Sequence, residues 1–260
     1  ASGGLHAYDP LLNDRRASAR AADSVAWAAL GDTLAAMDTA ALDERRRVNW
    51  LLLRAAVASA LQDAGAREWE RRPGGYIPFQ AIYSLAIGDT PGPKKRFESL
   101  VNRLEGWPIA LAQGRAQIVP ARTPRLWVEL DIRSAEGIAR WMDGELVDRA
   151  EKAKAADARF DAALDAARRA LFEYAKWMRD TLRVQARGDW KYGAAESDRR
   201  LRDAKPVDES AESLLLLGRG VYHETERELE SLAERIAPGR TWRELLDSAK
   251  TLHPARDSVF

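Results

Sequence analysis

The feature that most constrains this chain is one long apolar stripe. Between Asp157 and Gln185, Phe160, Leu164, Ala167, Leu171, Tyr174, Met178 and Leu182 recur at steps of three and four. That spacing draws a single line down a helix. Phe172 and Trp177 widen the line, while Asp165 and Arg169 stand four apart on the exposed side, where an acid and a base support each other. A helix of about 30 residues is about 45 Å long, so the rest of the chain has to be arranged around it.

Three more segments carry helical periodicity. Ala17 to Asp38 holds Val25, Leu30 and Leu34, with Trp27 beside them. Leu42 to Trp69 holds Val48, Leu51, Leu52, Ala55 and Leu61 on one face and Trp50, Leu53 and Val57 on a second, which predicts a buried helix. Glu212 to Ile236 holds Leu214, Leu217, Val221, Leu229, Leu232 and Ile236. Its approach is acidic (Asp208, Glu209, Glu212), which suits the positive end of a helix dipole. Thr123-Pro124 reads as a cap followed by proline at the first helical position. Thr241 to Glu244 reads as a capping box. Turn residues mark loops at 72–75, 88–93, 106–108 and 187–189. Tyr76 to Leu85 reads equally as a strand or as a short buried helix. The expected fold is all-α: a bundle of long antiparallel helices with shorter connecting helices and one or two small strands at most, forming a single helical domain over residues 1–260.

Composition narrows the function. With 46% hydrophobic residues the chain can bury a sizeable core. Its 41 basic and 40 acidic residues leave a net charge of +1, without the basic footprint of a nucleic-acid binder. Cysteine is absent, so disulfides and thiolate metal sites are excluded. No stretch approaches the roughly 18 consecutive apolar residues of a membrane span. Ala1 to Gly4 could be the small-residue remnant of signal cleavage or an artificial end. The stop at Asp257 to Phe260, just after His253-Pro254, resembles a cut where a new segment begins.

No complete catalytic or metal-binding constellation is visible. His223-Glu224 opens like the H-E-x-x-H zinc helix, but Arg227 stands where the second imidazole belongs. His6 and His253 lie near the two ends with no ligand spacing. Glu224, Glu226, Glu228 and Glu230 crowd one helix as a solvated face, with Arg227 and Arg235 among them. Gly88 to Gly92 copies the spacing of a nucleophile elbow with threonine in place of serine, and reads as a plain loop. Nine tryptophans are spread over nearly every helix, and packing accounts for most of them. Trp190 and Tyr192 are the candidates to line a substrate cleft.

Four segments in register carry a resemblance. They are Arg103 to Leu130 (RLEGWPIALAQGRAQIVPARTPRLWVEL), Ala170 to Leu182 with Arg187 to Arg202, Glu209 to Ile236, and Ala237 to Pro254 with its W-x-E and final H-P. Together they resemble a bacterial family known as domain of unknown function 885. The family resembles all-helical zinc peptidases of the gluzincin kind, about twice this length and often periplasmic or lipid-anchored, with an H-E-x-x-G-H-type motif in the C-terminal half. No residue here matches that motif, so no zinc ligand and no general base carries over. Tyr192 stands away from the family's usual tyrosine position, which Ser197 or Arg200 occupies here.

The resemblance implies that residues 1–260 are the N-terminal, non-catalytic half of a zinc-dependent peptidase-like hydrolase, forming a wall of its cleft. It implies no cofactor in this chain, zinc in the missing C-terminal half, and that half and a peptide-like substrate as partners. It also implies a periplasmic or exported location, with the cytoplasm as the alternative. Two other readings stand beside it: a self-contained helical scaffold or binding module, and a small enzyme using carboxylates alone.

Overall fold

The computed structural model describes residues 6–205 and 207–252. The readings made for Ala1 to Gly4 and for His253 to Phe260 fall outside them. The chain divides into two compact units, Ala1–Tyr192 and Gly193–Phe260. Both are helical. Among the described residues no strand forms, and Pro124 and Gly188 make an isolated bridge. None of the described helices is long and apolar enough to cross a membrane.

The first unit runs α1 (Ala17–Ala35), α2 (Glu44–Gly65), α3 (Phe79–Ile87), α4 (Pro93–Glu105), α5 (Trp107–Gln117), α6 (Arg125–Asp143), α7 (Glu145–Lys152), α8 (Ala158–Trp177) and α9 (Arg183–Gln185). The segment left open between strand and helix is α3, preceded by a short 3-10 turn at Pro73–Tyr76. Helix α8 packs against α4, α5 and α6, and the core forms around it. The stripe residues from Phe160 through Leu182 named above are all buried, whereas Phe172, expected to widen the stripe, is 64% exposed. Trp107 is wholly buried in the same core, where the Phe97 and Phe160 rings lie 6.5 Å apart. Asp157 caps α8 by accepting from the Phe160 amide at 2.8 Å.

The line of α8 continues through a π-helical turn, Met178–Leu182, into α9. That turn explains the spacing of the stripe. From Met178 the buried positions step by four, to Leu182 and Ala186. In an ordinary helix each such step overshoots by about 40°, and the wider π turn keeps the side chains on the buried face.

Helix α2 departs from expectation. Leu52 is 62% exposed, Val48, Leu51 and Leu53 are also exposed, and only Ala55, Val57 and Gln62 are buried. It packs on α1 and the Glu68–Glu70 turn, and none of its residues joins the main core. Two greasy faces need two neighbours, and within this unit α2 has a helix on one side only. The cap at Thr123 also shifts: α6 starts at Arg125 behind Pro124, and the buried Thr123 hydroxyl donates to the Val119 carbonyl at 2.9 Å.

The second unit holds α10 (Ala194–Ala204), α11 (Ala211–Ile236) and α12 (Trp242–Ala249). Ser210 caps α11, and the Asp198 carboxylate accepts from the Ala211 amide at 2.7 Å. Thr241 and Glu244 form the expected capping box on α12. On α11 Leu215, Leu216, Leu217 and Val221 are all exposed. An apolar hollow of about 550 Å³ lies between α11 and α12, lined by Leu229, Leu232, Ile236, Trp242 and Leu246 among others.

Candidate binding site around the Arg72–Tyr76 turn

A polar site in the first unit is built on the sequence Arg67-Glu68-Trp69-Glu70-Arg71-Arg72-Pro73-Gly74-Gly75-Tyr76. Proline and two glycines make a tight turn there, and its backbone is held from several sides. The buried Tyr174 hydroxyl donates to the Pro73 carbonyl at 3.0 Å. The Gly74 amide donates to Asp131 Oδ2 at 2.6 Å, and Arg15 donates to the Gly75 carbonyl. The Tyr76 hydroxyl donates to the Trp69 carbonyl at 3.0 Å, closing the segment on itself. Two glycines are needed for these approaches. A β-carbon on Gly74 would collide with the Asp131 carboxylate, and one on Gly114 would collide with the Tyr76 ring.

On this frame arginines stack on aromatic rings. The Arg71 and Arg72 guanidiniums lie 4.8 and 4.6 Å from the centre of the Trp127 ring, and Arg71 also lies 5.4 Å from that of Tyr192. Cations over aromatic faces gain most where water is excluded, and the Arg71 side chain is only 12% exposed. Glu68 is buried and ties the pair down, with Arg72 at 2.9 Å and Arg71 at 3.4 Å. Arg72 Nη2 donates to the Tyr192 hydroxyl at 2.8 Å, and Arg71 donates to the Asp189 carbonyl. Burial opposes the charge on Arg72, but the hydrogen bonds to Tyr192 and Glu68 outweigh it and hold its pKa above the usual value. Glu70 pairs with Arg67 and, at 3.2 Å, with Arg122. Burial pushes the Asp131 carboxyl up, against the pull of the Gly74 amide and of Arg72.

Two adjoining hollows open on the turn and share Arg72 and Gly75. One, about 260 Å³, is lined also by Trp127, Leu130 and Asp131. The other, about 250 Å³, is lined by residues of α1, α2 and the turn, including Arg15, Arg20, Trp27, Trp69 and Tyr76. These groups offer fixed guanidiniums, carboxylate acceptors and aromatic faces, which are the means of holding and orienting a polar ligand.

The two residues expected to line a cleft part company. Tyr192 belongs to this cluster through Arg71 and Arg72. Trp190 is 52% exposed, with Lys191 Nζ 5.6 Å from its ring centre. Arg15, Arg20, Arg72, Trp127 and Asp131 were not singled out from the sequence, although the run of cations and aromatics at 67–76 was a visible signal. His223 is exposed, its ring 5.5 Å from that of Tyr222, and His6 pairs with Asp9 at 2.8 Å. Glu226 pairs with Arg243 at 3.3 Å. Among the described residues no group of three or more His, Cys, Asp or Glu side chains could hold a metal ion, so the donor set present does not fit a zinc site.

A family model described as "Bacterial protein of unknown function (DUF885)" matches residues 1–258. The chain belongs to this family. A solved chain from Shewanella oneidensis, described as a "putative lipoprotein of unknown function", is similar in structure to this DUF885 chain, with a TM-score of 0.71 and 17% sequence identity. The match covers 98% of this chain and 50% of that one, so the DUF885 chain spans about half the length of its solved counterpart. At that identity the likeness concerns the fold alone. No curated protein matches.

Proposed function

We propose that this chain is a non-catalytic helical portion of a zinc-dependent peptidase-like hydrolase and forms a wall of its substrate cleft. The observation that carries the reading is the arginine–aromatic cluster at Arg71, Arg72, Trp127 and Tyr192, with two hollows opening on one turn. Guanidiniums and carboxylates beside aromatic faces suit a peptide, whose backbone presents donors, acceptors and apolar side chains together. The solved relative's greater length leaves room for a zinc-bearing part, which in this reading lies outside these residues. The C-terminal half of the same protein is then the chain's partner. An exported or envelope location goes with this reading, supported by the description of the Shewanella chain as a lipoprotein.

The test uses the natural gene product that contains this sequence. Peptide hydrolysis should vanish on chelation and return with zinc, and Arg72→Ala should raise KM about tenfold with kcat little changed. A natural product that ends at Phe260, or hydrolysis indifferent to chelation, would sink the proposal.

A second reading, a helical binding module without catalysis, is favoured by one feature of the second unit. The apolar hollow between α11 and α12 and the exposed leucines of α11 form a surface of the sort that binds an amphipathic partner. Normal partner binding by a natural product with no hydrolytic activity would favour it.

A further inference from the structure

We infer that the hollow between α1, α2 and the Arg72–Tyr76 turn is a subsite for a carboxylate group attached to one apolar or aromatic residue. The inference deepens the peptide-cleft reading, but it concerns binding by this chain alone.

Two guanidiniums face this hollow over one ring. Those of Arg15 and Arg20 lie 5.8 and 5.3 Å from the centre of the Tyr76 ring, and Arg20 also lies 5.3 Å from that of Trp69. Arg72 lines the same hollow but is already engaged with Glu68 and Tyr192. Arg15 and Arg20 are different. Arg15 donates to the Gly75 carbonyl, but among the described residues neither arginine forms an ion pair with a carboxylate, and Arg20 Nε is buried without an acceptor. Like charges held close in a partly desolvated place repel, and burial together with the neighbouring Arg20 draws Arg15 below its usual pKa. An anion between them would remove the repulsion.

The surroundings select the anion. Asp23, Asp63 and Glu68 also line the hollow, so a dianionic phosphate would meet three carboxylates. A carboxylate carries a single charge, and the planar guanidinium matches its two oxygens. The Asp23 carboxylate can receive an N–H donor that an amino-acid derivative brings. Trp27, Trp69 and Tyr76 supply flat apolar walls, and about 250 Å³ admits one residue, not an extended segment. A peptide C-terminus and a free aromatic acid both present this chemistry.

The experiment is calorimetric titration of the purified chain with N-acetylphenylalanine, its amide, N-acetyl-alanyl-phenylalanine and inorganic phosphate. The acid should bind at least tenfold tighter than the amide. Arg20→Gln and Arg15→Gln should each weaken it tenfold or more, and Arg20→Lys should restore part of the loss, all with unchanged circular dichroism. Tighter binding of the dipeptide than of the single residue assigns the subsite to a peptide terminus, and equal binding assigns it to a free acid. Equal affinity for acid and amide, tighter binding of phosphate, or a folded Arg20→Gln variant that binds like the parent overturns the inference. Binding without zinc-dependent hydrolysis by the natural product would overturn the cleft reading and leave this subsite standing.

Discussion

The Gly74 amide and the Asp131 carboxylate meet at 2.6 Å, joining the Arg72–Tyr76 turn to α6. A methyl group on Gly74 has no room beside that carboxylate. Gly74→Ala should therefore cost about 2 kcal/mol, as overpacked sites do, and should disturb Arg72. Gly65→Ala is the comparison, because nothing lies near its added carbon. Urea midpoints of the two variants decide it, and equal losses would contradict the close approach.

Asp131 also sets a pH dependence. Burial raises its carboxyl in the folded chain above the unfolded value. The folded form then holds the proton more tightly, so the contribution of Asp131 to stability falls as pH rises from the ordinary carboxylate range through the raised value. Asp131→Asn keeps an acceptor for Gly74 and removes the charge. Across that window the variant should gain on the parent as pH rises, read from paired urea melts. A gain for the parent would show that the Gly74 amide and Arg72 outweigh burial.

The tryptophans should divide by position. Trp107 is wholly buried, and Trp107→Ala should cost about 3–5 kcal/mol. Trp190 is 52% exposed, and Trp190→Ala should stay within about 0.5 kcal/mol of the parent. Chemical denaturation of both variants tests the contrast.

The capping box can be probed in its own unit. Thr241→Ala removes an acceptor from the Glu244 amide and should cost about 1 kcal/mol of local stability. Amide exchange should speed up in α12 and stay unchanged in α8. The backbone amide of Thr241 and, beside it, the Thr241 hydroxyl at 2.9 Å hold the Glu244 carboxyl below its usual value, and the alanine variant keeps the amide and loses the hydroxyl. That stabilisation is present above the unfolded pKa and fades as pH falls through the lowered one, so the variant's deficit in exchange should shrink in acid.

What the sequence made legible was local. The stripe from Phe160 to Leu182 announced α8 because buried positions on a helix recur with the helix itself. Thr241 announced α12 because a cap and its partner are three residues apart. Helix α2 misled because two apolar faces ask for two neighbours without saying where they are. In the candidate site, Tyr192 was within reach as one of two aromatics two residues apart. Arg15 was not, because the contact that gives it meaning is with Gly75, sixty residues away. Nothing along the chain distinguishes Arg15 from the surface arginines around it until the turn brings Tyr76 beneath it.

The wide turn at Met178–Leu182 marks the place where the long helix can change length. Take out Thr181 and the buried positions fall back to alternating steps of three and four, which an ordinary helix accommodates. Take out Ala166 and everything beyond it swings by about 100°, carrying Leu171 and Tyr174 out of the core. The first deletion should leave a folded chain and the second should not. In this respect the turn has the form of an insertion absorbed into a helix, and gains and losses of single residues among related chains should collect there.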